Sequence, residues 1–214
     1  MKKIKKELTM NPETLFKISY GLFVITAKKG DGHNGCIINT VGQVASEPNR
    51  ISFSINKQNL TRDLIDEDGN FTVSIISEDA DFELFKHFGF RSGRSVDKFE
   101  DFFDTLKTKN GTLAVTKGTN AYISGKVAYQ LDLDSHTLFV ADITEMEVLS
   151  STPSATYAYY HANIKPKKKE EAPKGKTVWR CKICGYEYEG EELPADYICP
   201  LCKHPASDFE KVNG

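Results

Sequence analysis

Short β-rich runs broken by turn residues every ten positions or so dominate the hydrophobic and polar pattern from Asn11 to about Ile164. Val, Ile, Phe, Tyr and Thr gather in these runs, which predicts a barrel or sandwich with a few helices. Asn11 before Pro12 predicts a helix cap and first helical position, opening a short helix through Lys17. Residues 22–27 predict a strand, the glycine-rich stretch 30–35 a hairpin turn, and 36–40 the returning strand. Further strands are expected at 50–55, 71–76, 121–133 and 137–149, and helices at 61–66 and 79–88. No internal repeat is visible.

The pattern stops at Lys165. Residues 165–176 read Lys-Pro-Lys-Lys-Lys-Glu-Glu-Ala-Pro-Lys-Gly-Lys, with nothing apolar beyond alanine, so this stretch reads as a charged flexible linker. Twelve residues extend to about 40 Å and average roughly 20 Å as a flexible chain. The expected organisation is a large domain at 1–164, the linker at 165–176 and a small domain at 177–214. A length of 214 residues suits one ordinary domain plus such a module.

Charge narrows the partners. Lys and Arg total 28 against 30 Asp and Glu, a net charge of -2, so neither a nucleic acid nor an anionic membrane surface is expected. The longest apolar stretches fall well short of the roughly 18 to 20 residues that cross a bilayer, and the Lys-rich start lacks a signal-peptide pattern, so a cytoplasmic protein is expected. Of five cysteines, Cys36 stands alone in an apolar run and reads as a small buried hydrophobe.

The other four, Cys181, Cys184, Cys199 and Cys202, form two Cys-x-x-Cys pairs, a layout that favours a metal over a disulfide framework. Four thiolates on two tight turns make a tetrahedral sulfur cage, and sulfur softness selects zinc or iron over magnesium or calcium. Spacing alone leaves zinc and iron open.

The residues around these pairs resemble the rubredoxin family. The matching features are Trp179-x-Cys-x-x-Cys-Gly-Tyr-x-Tyr188, Pro194-x-Asp-Tyr-x-Cys-Pro-x-Cys202 and a closing Asp208-Phe209-Glu210. The resemblance implies a single iron cycling between ferric and ferrous states, with Trp179, Tyr186, Tyr188, Tyr197 and Phe209 as its aromatic surround. The stretch between the pairs is shorter than in free-standing rubredoxins and closer to the compact version attached to rubrerythrins. A module this small buries little surface, so the metal should supply much of its folding energy.

A one-electron iron centre cannot take a hydride directly, so a chain drawing on nicotinamide needs a two-electron carrier that releases electrons singly, as flavin does. No G-x-G-x-x-G after a strand and no Walker-type loop is present, which argues against a Rossmann domain. The first 164 residues instead resemble the flavin reductase family, through 20–26, 34–40 with 44–48, 56–61, Ser92-Gly93-Arg94 and Asp97-Lys98-Phe99. The resemblance implies a mainly β fold, an FMN-binding split β-barrel with a few helices, that forms a homodimer. Cys36 stands where that family commonly has Thr, and Asn49 replaces the second proline of its Pro-Pro.

Within that frame Asn39 and Thr40 end a strand with small polar groups suited to the edge of a flavin ring, and Val44, Ala45 and Ser46 offer backbone groups beside them. Asn59 caps a helix containing Thr61, whose free N–H groups and dipole favour a phosphate. Arg94, after Ser92 and Gly93, supplies a fork for the same phosphate. The plainer readings are a simple helix cap and a surface arginine. The resemblance adds Lys98 to the candidate flavin contacts. It also places the aromatic run 156–165 near the flavin, where His161 is a candidate contact to flavin or nicotinamide, against a packed structural histidine.

Together the two halves are similar to the high-molecular-weight rubredoxin family of anaerobic bacteria. That resemblance implies an NAD(P)H:rubredoxin/flavin oxidoreductase: NAD(P)H oxidation by FMN, one-electron transfer to an Fe(Cys)4 centre, and delivery to a flavodiiron protein reducing oxygen or nitric oxide. No side chain needs to act as acid or base, because catalysis rests on positioning. The rival readings are a passive FMN/rubredoxin carrier reduced by another protein and a zinc-binding module without redox work.

Overall fold

The computed structural model describes residues 10–166, 177–183, 185–200 and 204–212. A 3-10 turn at Pro12–Lys17 precedes β1 (Phe23–Lys29), β2 (Gly32–Ile38), β3 (Gly42–Ser46), β4 (Asn49–Asn56), α1 (Leu60–Asp68), β5 (Asn70–Ile76) and α2 (Phe82–Phe85). A π-helical turn at Lys86–Phe90 continues α2, followed by β6 (Thr105–Lys107), β7 (Leu113–Val115), β8 (Thr119–Leu133), β9 (His136–Val148) and α3 (Tyr157–Tyr159). The C-terminal module contributes β10 (Val178–Cys181), β11 (Glu187–Glu189) and β12 (Phe209–Val212).

Seven strands form one antiparallel sheet in the order β2-β1-β5-β8-β9-β4-β3. Its edges, β2 and β3, are consecutive in the chain and joined by residues 39–41 alone. Four peptide steps reach about 14 Å at most, so the two edges are drawn together at that end. The sheet therefore curls into a barrel that is split along the β2–β3 seam. The fold is mainly β, as the strand pattern indicates.

The strands alternate between two cores. Phe23, Ile25 and Ala27 of β1 face a cluster with Ile51, Phe53, Phe71, Val73 and Phe139, closed by Leu64 and Ile65 of α1. Leu22 and Val24, pointing the other way, join Leu84, Phe85, Phe88, Val115 and Tyr160. Burial on both faces makes β1 a continuous apolar run. Phe53 sits between the rings of Phe71 and Phe139 at 4.7 and 5.3 Å and is fully buried. Each such ring contributes about 2 to 3 kcal/mol through burial.

Two local expectations change. The 30–35 turn contracts to Gly30 and Asp31, because Gly30 takes a φ of 58° and Lys29 already pairs with Gly32. Gly32 to Gly35 thus belong to β2. The 79–88 helix begins later, capped by Asp81 whose carboxylate accepts from Leu84 N at 3.0 Å, and its last turn widens into a π-helix that ends at Phe90.

Residues 167–176 of the expected linker lie outside the described residues. Beyond them β11, β10 and β12 form a small antiparallel sheet. Among the described residues no helix is long and apolar enough to cross a membrane.

Candidate flavin corner and cysteine cage

Asn59, Thr61, Ser92, Gly93 and Arg94 converge at the N-terminus of α1. Asn59 adopts an extended backbone, and its side chain accepts from Thr61 N at 3.1 Å, satisfying one of the open N–H groups of the first turn. Arg94 reaches over this turn: its Nε donates to Gln58 O at 3.3 Å and its guanidinium pairs with Asp63 at 2.5 Å. Burial pushes Asp63 up, but hydrogen bonds from Arg94 and Arg62 outweigh it and hold the carboxylate below its usual range. Ser92 Oγ accepts from Arg94 N at 3.3 Å and shapes the turn. A cleft of about 390 Å³ opens beside these residues, lined by His33, Asn34, Gly93, Arg94, Ser95 and Val96.

Asn34 was not among the expected site residues, yet it organises this corner. It is 2% exposed, and its Nδ2 donates to Thr61 Oγ1 at 2.8 Å across 27 residues of sequence. That partner is set by the packing of α1 on β2, so only a glycine-rich hairpin context hinted at it. Cys36 lies beneath, 2% exposed. Burial pushes its thiol up, partly countered by Thr61, Lys98 and Asn59.

Lys98 is also part of this floor. It is 2% exposed, and its ammonium donates to Gly35 O at 2.8 Å and Phe88 O at 2.9 Å, fastening β2 to the π-helical turn. Its three donors are thus largely committed to the protein interior. Burial lowers its pKa from 10.5 to about 8, a shift opposed by Cys36. Below pH 8 both folded and unfolded chains hold this proton, and the folded state bears the cost of burying it. Above that pH the folded chain releases it while the unfolded chain keeps it to about 10.5, so stability rises with pH in this window. Between pH 7.5 and 9.5 the wild type should gain about 2 kcal/mol relative to Lys98→Met in denaturant unfolding. A pH-independent difference would show that Lys98 does not titrate there.

Asn39, Thr40, Val44, Ala45 and Ser46 line the barrel seam. Thr40 Oγ1 donates to Ser54 O and accepts from Ser54 N, both at 2.9 Å, so this hydroxyl stitches the seam to β4. The β3–β4 register shifts between Gln43 and Ala45, leaving Val44 as a bulged residue, 54% exposed on an edge strand. Bulges free backbone groups from the ladder and recur beside binding sites. Asn34 in β2 and Asn39 directly after it stand five residues apart, about 16 Å, so the corner at α1 and the seam lie toward opposite ends of one strand.

His161 occupies a different place. With Ser19, Tyr20, Thr156 and Tyr157 it lines a cleft of about 610 Å³. Its ring meets Tyr157 edge-on at 4.6 Å, and partial burial, with Lys165 nearby, lowers its pKa.

In the C-terminal module Cys181 and Cys199 are 1% and 0% exposed, surrounded by Trp179, Tyr186, Tyr188, Leu193, Tyr197 and Phe209. Cys184 and Cys202 lie outside the described residues. The two cysteine turns close alike: Cys181 N donates to Tyr186 O and Cys199 N to His204 O, each at 2.8 Å and each five residues ahead. Two buried thiols on matched turns, each followed three residues later by a second cysteine, fit a tetrathiolate metal site.

Comparison with known proteins agrees with both halves. Residues 15–168 match the model for the flavin reductase like domain, and 179–210 the rubrerythrin, rubredoxin-like domain. A high molecular weight rubredoxin of Moorella thermoacetica is 34% identical over 95% of this chain and all of its own length. A ferric-chelate reductase (NAD(P)H) of Archaeoglobus fulgidus is 36% identical over 79% of this chain and 98% of its own. An FMN-binding protein of Thermus thermophilus, 18% identical, superposes with a TM-score of 0.63 over 81% of this chain and all of that one, which supports the fold.

Proposed function

The chain belongs to the flavin reductase family and carries a rubrerythrin-type rubredoxin-like domain behind its barrel, and from this premise we propose that it is an NAD(P)H:rubredoxin/flavin oxidoreductase. Electron transfer is its general activity. FMN held by the barrel would take two electrons from NAD(P)H as a hydride and release them singly to an Fe(Cys)4 centre. The observation that carries this reading is the presence, in one chain, of a flavin-reductase barrel and a buried pair of matched cysteine turns.

Each residue has its own task in this proposal. The N–H groups at the start of α1, with Arg94, Ser92 and Gly93, hold the phosphate; Asn34 and Thr61 fix the turn that presents them. Asn39, the backbone of Thr40, and the bulged Val44-Ala45-Ser46 edge hold the ring. Lys98 shapes the site from below by tying Gly35 to Phe88. His161, in its separate cleft, is proposed to contact nicotinamide or flavin. Cys181, Cys184, Cys199 and Cys202 hold iron. The division is 1–164 for the barrel, 165–176 for the tether and 177–214 for the iron module, in a cytoplasmic protein. A flavodiiron protein that reduces oxygen or nitric oxide is the proposed acceptor, as the resemblance to high-molecular-weight rubredoxins implies.

A homodimer is part of this proposal. Tyr129, Leu131 and Leu133 stand exposed on one face of the β8–β9 hairpin, with Leu138 and Val140 paired beside them. An apolar row of this kind favours a covering partner, and sedimentation at the monomer mass would exclude a dimer.

The central test is an anaerobic optical spectrum before and after NADH or NADPH is added to FMN- and iron-replete protein. Bleaching of both flavin and ferric-thiolate bands supports the reading. Two bands that stay unchanged would make the chain a passive carrier, and absence of either band from replete protein would end the two-centre account.

A further inference from the structure

Phe90 does not belong to the cores of its own domain. It ends the π-helical turn at Lys86–Phe90, half-buried, and packs against the cluster of Cys181, Cys199 and Phe209 in the C-terminal module. On its other side its ring meets Phe82 edge-on at 5.8 Å, and Phe82 stacks on Tyr160 at 6.5 Å. Tyr160 in turn lies 5.2 Å from His161. A packed file of rings thus leads from the aromatic segment of the barrel domain to the surround of the cysteine turns.

Charge points the same way. From residue 177 onward the module carries four Lys and Arg against seven Asp and Glu, and a tetrathiolate adds further negative charge. Phe90 is followed directly by Arg91, while Lys86, one turn earlier, is already paired with Glu83. An acidic module facing an aromatic ring beside an arginine is a complementary pair. From Pro166 to Thr177 the chain spans eleven peptide steps, about 40 Å when extended, long enough both to reach this position and to leave it.

We propose that Phe90 is the docking residue on which the rubredoxin-like module seats against the barrel of its own chain, as the position from which it receives electrons. The proposal rests on the functional reading above. One NAD(P)H and two ferric ions yield NAD(P)+, one proton and two ferrous ions, so a single-iron module must be oxidised by its acceptor, or a second module engaged, between the two electrons. Phe90 is a positioning residue in this scheme and touches no reacting atom.

The test compares the full chain with Phe90→Asp and the conservative Phe90→Leu. In the zinc-loaded proteins, NMR relaxation should give module amides the tumbling time of the barrel in the wild type and Phe90→Leu. In Phe90→Asp the module's tumbling time should fall at least twofold, and added salt should move the wild type in the same direction. In the FMN- and iron-loaded proteins, ferric bleaching by NAD(P)H should slow at least tenfold in Phe90→Asp while flavin bleaching keeps its rate. A module that tumbles independently in the wild type, or equally in wild type and Phe90→Asp, overturns the proposal. So does unchanged ferric bleaching in Phe90→Asp. If flavin does not bleach even in the wild type, the functional reading fails, and the relaxation result still decides the docking.

Discussion

Cys199→Ala is expected to abolish the tetrathiolate spectrum and unfold the C-terminal module while leaving the barrel nearly untouched. Cys199 has no exposed surface and stands at the centre of the module's small core, whose buried apolar members among the described residues are Cys181, Cys199 and Phe209 beside Val178. A core of that size cannot offset the ordering entropy of a domain under forty residues. Metal ligation supplies the difference, on the order of 10 kcal/mol in comparable small zinc modules. Losing one of four thiolates should therefore remove bound iron and amide protection together. Iron content per chain, the ferric-thiolate band and hydrogen exchange beyond residue 177 check this, with barrel melting expected to shift by less than about 3 °C. Full iron content with an unchanged band would mean that Cys199 is not a ligand.

The same cysteines mark how unevenly sequence and structure correspond. The Cys-x-x-Cys pairs were legible because their chemistry is local: two short turns carry the ligands. Strands 50–55, 71–76 and 121–133 were legible because apolar alternation is also local, and the observed strands extend those bounds by a residue or two. The 30–35 turn was overdrawn because glycine signals a turn wherever it stands. Only the pairing of Ala27 with Asn34 shows that the ladder runs through those residues. Lys98 illustrates the harder loss. It is expected among the flavin contacts by resemblance alone, and its ammonium's partners are two carbonyls, 63 and 10 residues away, which no periodicity reveals. Arg94 likewise finds Asp63 on α1, 31 residues back. Sequence singled out Asn59, Thr61 and Arg94 but passed over Asn34, because which residues face the cleft and which build its floor depends on tertiary partners.

Gly93→Ala tests that division, and FMN affinity is expected to fall about thirtyfold. The backbone at Gly93 does not lie in the left-handed region, so the obstacle to a side chain is space alone. A Cβ there would stand 2.1 Å from Asn34 Oδ1 and 2.7 Å from its Nδ2. An exposed asparagine would swing aside at little cost. Asn34 is 2% exposed and holds Thr61 Oγ1 through that same Nδ2, so it moves only by releasing Thr61 and loosening the first turn of α1. The alternative is displacement of the 91–97 segment, which carries Arg94 away from Gln58 and Asp63. Either route misplaces a charge-assisted phosphate contact, and about 2 kcal/mol, the worth of one such bond, corresponds to that thirtyfold loss. Pairing the change with Asn34→Gly removes the clash, returning Arg94 to its place but leaving Thr61 without its donor, so affinity should recover only in part. Fluorescence titration of FMN into the apoprotein measures both variants. An unchanged dissociation constant in Gly93→Ala would move the phosphate away from this corner, because no bound phosphate there could ignore the loss of either Asn34 or Arg94.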